Sequence, residues 1–386
     1  MYGLETGRPF SGDEGGFHWR AIKLLNGEWG DRAYRAPFTA MALVPAYKIF
    51  GAAPEVGRSV MIVLSALSAP LVYCLGCLIS RNRVVGCLAG VIWAFYPPSI
   101  FYSSLVYTET LSAMLVTGLV FGYFLACSTR RLWGAMLVGV ICGCLSLNRA
   151  TFLLLPFVML LLTILGRHRF AATSKLNLGQ WGVVLILFVA VLAPWVMHTY
   201  SMFGEFVPHN TRGGWTLLIS NGNIDNWMVK EGGYSREAEY DFVDIKPPPD
   251  ALSLDNMRRE MAIRLIKEHL ESRPLDYIKI IAKRARNFWS FRPDPYDQNW
   301  TSNDWIMLFV WVPIVLITTI SPAVRHWREW WPLIIVVLYS FFIVLPFWGT
   351  PRFRYSVDPL IVVMAAWSLV YWSRQLSTWL VSNKPS

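Results

Sequence analysis

"MIVLSALSAPLVYCLGCLISRNRVVGCLAGVIWAFY", residues 61–96, decides the fold. One apolar run ends at "SRNR", and a second begins at once. A hydrocarbon core about 30 Å thick is crossed by about 20 mostly apolar residues in a helix. Both runs come close to that length, and the basic residues fall only where they meet.

The pattern repeats along the chain. Apolar runs fall near 56–79, 84–102, 107–128, 132–147, 150–166, 181–200, 303–320, 331–348 and 356–379. Of the 386 residues, 54% are hydrophobic and 16% charged, against about 25% charged in soluble domains. The sequence therefore predicts an all-α polytopic membrane protein with about nine transmembrane helices, juxtamembrane helices and a small external α-rich domain. The expected divisions are 1–55, an external first loop with juxtamembrane helices, 56–200, a transmembrane bundle, 201–302, an external loop domain, and 303–386, a second bundle. Residues 38–50, "FTAMALVPAYKIF", are too short to cross, contain Pro45, and read as a juxtamembrane or re-entrant segment. An external amino end with no span before Ser11 predicts a missing first helix.

The net charge of +10 does not indicate nucleic acid, because much of it lies in short loops between apolar runs. Those loops hold Arg81 and Arg83, Arg130 and Arg131, "GRHRF" with Lys175, and Arg325 and Arg328; Arg374 and Lys384 follow in the tail. Glu329 is the acidic exception. Lys- and Arg-rich loops are cytoplasmic by the positive-inside rule. The opening stretch through Pro37, "YPPSIFYSSLVYTE", "LNRA", 201–302 and "GTPRFRYS" then share the other face, and nearly all Asp and Glu lie there. All six cysteines sit in apolar runs; Cys74 and Cys77 form C-x-x-C but read as small packing residues, with no disulfide framework.

Several residues on that non-cytoplasmic face could do chemistry. Asp13 and Glu14 are adjacent carboxylates that cannot both point the same way. One could take a proton from a hydroxyl while the other holds a hydrogen bond, and a divalent cation could sit at Asp13/Glu14. A helix N-terminal pair explains them as well. Arg35 in "YRAP" and Arg352 and Arg354 in "PRFRYSVDP" offer planar forks for phosphate oxygens, or act as interfacial anchors. Glu109 is a carboxylate at the outer start of a span, a functional candidate by default, with Arg149 of "LNRAT" as its partner. His209, Asn210, Asn221 and Asn223 are neutral groups suited to a sugar, or simply polar loop residues. His18 reads as packing, and no His/Cys cluster has metal-ligand spacing. Within 201–302, an amphipathic stretch runs from Leu254 to Trp289 with Ser253 or Asp255 as N-cap, after a proline run at 247–249. Its second part, beyond Pro274, carries Lys279, Lys283, Arg284 and Arg286 and suits an anionic lipid surface or a solvated face.

The chain resembles the integral-membrane C-type glycosyltransferases that use polyprenyl-phosphate sugars, especially the protein O-mannosyltransferase and lipid A aminoarabinose transferase branch. The residues carrying this are "GDEGGFHWRAIKLLNGEW", "YRAPFTAMALVPAYKIFG", "YPPSIFYSSLVYTETL", "LNRATFLLLP", "APWVMHTYSMFGEFVPHNTRGGWTLLISNGN" and "RFRYSVDPLIVVMAA", in the family's order. The resemblance implies a multi-span bundle with Asp13 as catalytic base, Glu14 as its companion and Glu109 as a second acid. Arg35 would face the donor phosphate, with Arg352 and Arg354 as a terminal arginine motif. The chain departs from the family in lacking the first span, in Gly15 and Gly16 after the acidic pair, and in ending one span after "RFR".

The reading is an inverting glycosyl transfer from a polyprenyl-phosphate-linked sugar to a hydroxyl of a lipid, glycan or protein acceptor. It places a multi-pass protein in a bacterial or archaeal cell membrane, in contact with membrane lipids and no nucleic acid. The alternatives are a catalytically inactive member acting as an assembly subunit, and a lipid-phosphate flippase or transporter.

Overall fold

The structure, a computed structural model, describes residues 9–10, 12–30, 33–166, 168–171, 174–237, 250–297, 299–319, 321 and 326–382. Ser11, the proline run at 247–249, Arg325, Lys384 and the residues before Pro9 lie outside the described residues. Among the described residues every regular element is helical.

Two short helices open the chain, α1 (Glu14–Leu25) and α2 (Phe38–Phe50). They are followed by α3 (Pro54–Ser80), α4 (Arg83–Ala94), α5 (Pro97–Ser103), α6 (Thr108–Thr129) and α7 (Leu132–Asn148). A single 3-10 turn (Ala150–Phe152) leads to α8 (Leu155–Leu165) and α9 (Leu178–Phe203). Among the described residues, four helices then lie between spans: α10 (Gly213–Asn221), α11 (Trp227–Lys230), α12 (Ala251–Ser272) and α13 (Pro274–Phe288). The chain closes with α14 (Ser302–Thr319), α15 (Trp327–Val344), the single turn α16 (Pro351–Arg354) and α17 (Asp358–Ser382).

Five of these helices, α3, α6, α9, α14 and α15, are long and apolar enough to cross a membrane, against the nine runs read from the sequence. The run at 84–102 is two helices, α4 and α5, bent by 53° and able to count as a sixth span. Pro97 and Pro98 cause the bend, because proline lacks the amide hydrogen and turns the residue before it away from helix. The run at 132–147 became α7, whose 17 residues rise only about 25 Å. Interrupted by its 3-10 turn, the run at 150–166 leaves an 11-residue α8.

Helix α6 is the centre of the bundle. Of its most apolar window 67% is buried in protein, against 22% for α3, whose side chains mostly face outward. A helix apolar all round is one meant for the interior. The hairpin of α3 and α4 closes where Gly86 meets Cys77: a Cβ on Gly86 would lie 2.3 Å from the Cys77 sulfur. Small residues let membrane helices approach in this way, so Cys77 packs as expected.

Between spans, α10 to α13 bury small apolar groups of their own, Ile224, Val229, Tyr277 and Ile280 in one and Leu218 with Ala262 in another. The N-cap of α12 is Asp250, which accepts from the amides of Leu252 and Ser253, and not Ser253 or Asp255. Asp255 is instead buried and accepts from the amides of Gly214 and Trp215, both at 3.0 Å. It therefore caps a different helix, α10, from across the fold, where two amides lack helical partners. The basic residues of α13 do not form one open face. Lys283 and Arg286 pair with Glu231, Lys279 pairs with Asp276, and Arg284 is buried.

Candidate active site

Three segments distant in sequence meet at the amino end of α6. The first is the start of α1, which packs on α2 through Phe17, Ala21, Leu43 and Tyr47. His18 belongs to this packing, its Nδ1 lying 2.7 Å from the Tyr47 hydroxyl. The second is the loop carrying Arg35. It is stitched to the loop after α9 by the Thr211 amide, which donates to the Ala33 carbonyl at 3.1 Å. The third is the turn around α16, and α13 holds it. Buried Arg284 donates to the carbonyls of Leu345 and Pro346, both at 3.1 Å, and the Gly349 amide donates to the Gly232 carbonyl at 3.2 Å. A Cβ on Gly349 would lie 1.9 Å from the Arg284 carbonyl oxygen, so only glycine fits there.

Asp13 is the meeting point. Arg35 Nη2 donates to Asp13 Oδ1 at 2.8 Å, and Arg352 Nη2 donates to Oδ2 at 3.2 Å. The side chains of Asp13, Arg35 and Arg352 are 30%, 20% and 36% exposed. The Asp13 amide donates to the Tyr107 hydroxyl at 3.3 Å, and the Arg352 guanidinium lies 4.7 Å from the centre of the Tyr107 ring. Burial pushes the Asp13 carboxyl up, but Arg35, Arg352 and Arg212 outweigh it and hold its pKa below the ordinary value. Arg212 sits between the rings of Tyr34 and Trp215, at 4.8 and 4.2 Å.

Glu109 lies behind Arg352, fully buried. Its Oε1 accepts from Arg352 Nε, and Arg149 Nη1 stands 4.0 Å away. The expected Glu109–Arg149 pair is therefore present, with Arg352 in closer contact. Asn148 fixes this corner: its amide donates to the Thr108 carbonyl and Ser112 hydroxyl at 3.0 and 2.8 Å, while its carbonyl accepts from Thr39 at 2.5 Å.

The remaining sequence candidates lie in other surroundings. Glu14 is fully buried and accepts from Arg58 Nε at 3.2 Å and the Val106 amide at 3.1 Å. Arg354 is buried against Trp311, ion-paired to Asp358 at 2.9 Å, and donates to the carbonyls of Phe288 and Ser290. Asn221 is fully buried; it accepts from Tyr277 and Arg284 and donates to the Pro346 carbonyl, so it braces the turn that carries Arg352. His209 is buried with neither ring nitrogen well hydrogen-bonded, and burial lowers its pKa to about 4. Asn210 accepts from the Arg212 amide at 3.3 Å, and Asn223 from the amides of Asp225 and Asn226. Both shape local turns.

Asp13 and Glu14 diverge, and Glu14 is committed to Arg58. The pair does not fit a shared cation. Among the described residues no three His, Cys, Asp or Glu side chains converge as metal ligands.

Sequence reasoning missed Arg58, Tyr107 and Arg212, and read Arg284, which is buried, as part of a basic outer face. A signal existed for Arg58, since an arginine inside an apolar run demands a partner. The others are recognised only by what they meet across the fold.

No family model and no curated protein matches the sequence. Solved structures do match. The archaeal oligosaccharyltransferase AglB from Archaeoglobus fulgidus, in complex with an inhibitory peptide and a dolichol-phosphate, superposes with a TM-score of 0.54 at 14% identity, over 99% of this chain and 50% of that one. The A. fulgidus oligosaccharyltransferase tethered with an acceptor peptide containing the NVT sequon gives 0.57 at 13% identity, over 96% and 47%. ArnT from Cupriavidus metallidurans bound to undecaprenyl phosphate gives 0.42 at 14%, over 93% and 72%. This chain spans about half the length of the oligosaccharyltransferases it matches. It shares the fold of these oligosaccharyltransferases, and its own five candidate spans make it a multi-pass helical membrane protein.

Proposed function

We propose that this chain transfers a sugar from a polyprenyl-phosphate donor to an acceptor hydroxyl, with inversion, at the end of the bundle where Asp13 lies. The reading takes that end as non-cytoplasmic and counts α7, the α8 segment and α17 among nine crossings. It places the chain in the branch of the protein O-mannosyltransferases and lipid A aminoarabinose transferases, on the order of its motifs. The shared fold supports the general class, since A. fulgidus AglB is seen with a dolichol-phosphate.

One observation carries the proposal: a partly exposed carboxylate, Asp13, is gripped by two arginine forks, Arg35 and Arg352, that could equally grip a phosphate. With both arginines on it, Asp13 is too weak a base to deprotonate a hydroxyl. A donor phosphate arriving between them would share their hydrogen bonds and lift the pKa of Asp13, because opposite charges lower a carboxyl pKa. Asp13 then takes the acceptor proton as the acceptor oxygen bonds to the anomeric carbon. The anomeric carbon–oxygen bond to phosphate breaks, and the electron pair leaves with the polyprenyl phosphate. Arg35 and Arg352 stabilise that leaving charge, a contribution often the largest in such sites. Glu109 keeps Arg352 in place when it loosens from Asp13, and Arg149 steadies Glu109. Arg354, Glu14 and Asn221 hold the elements that present these groups.

The test is transfer from a panel of polyprenyl-phosphate hexoses and pentoses by detergent-purified protein. The expected result is turnover by the wild type, its loss in Asp13→Asn, and a cooperative unfolding curve close to that of the wild type. A well-folded Asp13→Asn protein that turns over normally would remove Asp13 from the role. For topology, an impermeant maleimide on intact cells should label Ser272→Cys and spare Ser128→Cys, in a background without the native cysteines; the reverse pattern overturns the orientation.

A further inference from the structure

At the other end of the bundle, where α3 and α6 finish, the arginines have different company. Two cavities of about 850 and 500 Å³ open between the ends of α3, α6, α15 and α17, and they share Ser80, Arg81 and Trp367 as a common wall. Arg81, Arg83, Arg130 and Arg374 line this continuous cleft, against Glu329 as the acid that does so. Four guanidiniums face one carboxylate. Among the described residues Arg81, Arg83 and Arg374 form no ion pair, whereas the arginines around Asp13 do. Aromatic rings floor the cleft: Trp367 stacks on Trp330 at 4.5 Å, with the His326 ring edge-on to it at 5.8 Å.

A second, independent observation concerns the backbone. Arg81 ends α3 and Arg130 ends α6 in the left-handed conformation, with φ of +53° and +58°. The other non-glycine residue in that region among the described residues is Ala33. Glycine takes this helix-ending position without strain, and it is the usual occupant. Twice, at the mouth of one cleft, the chain keeps a guanidinium there instead. Interfacial anchoring needs no such backbone, since an arginine one or two residues away would reach the headgroups equally well.

We propose that this cleft binds the phosphate headgroup of an anionic phospholipid, with Arg81 at its centre and Arg83, Arg130 and Arg374 around the phosphate. Basic pockets between membrane helices take such headgroups. The aromatic floor meets the glycerol and upper acyl chain, and the bilayer supplies the lipid laterally. The site is separate from the one at Asp13 and does not depend on the reaction assigned there.

The experiment uses full-length protein purified into phosphatidylcholine nanodiscs doped with dioleoyl phosphatidylglycerol, with retained lipid read by native mass spectrometry. Wild type should retain phosphatidylglycerol over phosphatidylcholine. The decisive variant is Arg81→Gly, which removes the guanidinium and suits the backbone. It should unfold at the same temperature or higher and retain about five-fold less phosphatidylglycerol, the weight of about 1 kcal/mol per basic residue near an anionic surface. Arg374→Gln should act alike, and Arg264→Gln, far from the cleft, should change nothing. Equal retention of the two lipids by wild type, or undiminished phosphatidylglycerol on Arg81→Gly, overturns the proposal. Inorganic phosphate that competes fully at low millimolar concentration overturns the lipid as ligand.

Discussion

Two short stretches of this protein each put charged residues side by side, and each splits them between different surroundings. At the start of α1, Asp13 is partly open and shared by Arg35 and Arg352, while Glu14 is buried with Arg58. At α16, Arg352 reaches Asp13 and Glu109, while Arg354 is buried with Asp358. The open members of the two stretches meet each other. The closed members each have a private partner. An exposed charge can exchange its partner for a ligand at little cost; a buried one cannot, because leaving its mate unpaired in low dielectric is expensive. Neighbours in sequence are thus divided into groups free to react and groups that hold the frame.

The sharpest way to break that division is to neutralise both members of the first stretch. Asp13→Asn should lower transfer about 10²–10⁴-fold, the usual weight of a general base, with an unfolding midpoint lowered far less than by Glu14→Gln. Glu14→Gln should do the reverse, costing about 3–5 kcal/mol of stability through the stranded Arg58. Equal activity losses at equal stability would erase the contrast. Paired assays of turnover and thermal unfolding read both.

Arginine geometry sharpens the same contrast between open and enclosed charges. Arg35→Ala should lower turnover by about 2–4 kcal/mol if it stabilises a leaving phosphate. Arg35→Lys should fall between, since an ammonium is a point charge without a fork. Arg354→Lys should instead show up as a lower unfolding midpoint, because its several donors are spent on Asp358 and two carbonyls.

The most gradual effect lies in pH, because it is spread over more than about two pH units. His209 is folded in its neutral form with a pKa near 4, against about 6.5 unfolded. Its contribution to stability is full above about pH 6.5 and is lost progressively as pH falls toward 4, because only the unfolded chain takes up the proton. The slope is at most about 1.4 kcal/mol per pH unit. His209→Gln should flatten denaturation curves between pH 6.5 and 4, and an unchanged slope would show that other groups set it. Asp13 acts lower: its depressed pKa adds stability above the ordinary carboxylate range, lost only as pH falls through the folded value.

Much of this was legible in the sequence because it is local. The run at 107–128 became Thr108–Thr129, and that at 181–200 became Leu178–Phe203, since continuous apolarity is read without knowing the neighbours. Asp13, Arg35, Glu109, Arg149 and Arg352 were singled out from their short motifs, and the structure brings them together. What could not be read was direction. Arg352 and Arg354 sit one residue apart on a single helical turn, and only Trp311 and Asp358 decide which of them is enclosed. Asn221 was visible as polar but not as buried, because the groups that enclose it, Tyr277 and Arg284, come more than 50 residues later. Asp255 looked like the cap of its own helix and caps another.

The ion pair between Asp13 and Arg352 joins residues 339 apart, and that separation has a meaning in time. A ribosome adding about 5–20 residues per second needs about 17–70 s to cover it. For the last 243 residues of that interval, about 12–49 s, Glu109 has already been made without its closest partner, Arg352. Arg149, made only 40 residues after Glu109, is available within about 2–8 s. The second arginine at Glu109 is thus an early guardian during biogenesis, and Arg149→Gln should lower the yield of inserted protein more than the turnover of the molecules that do mature.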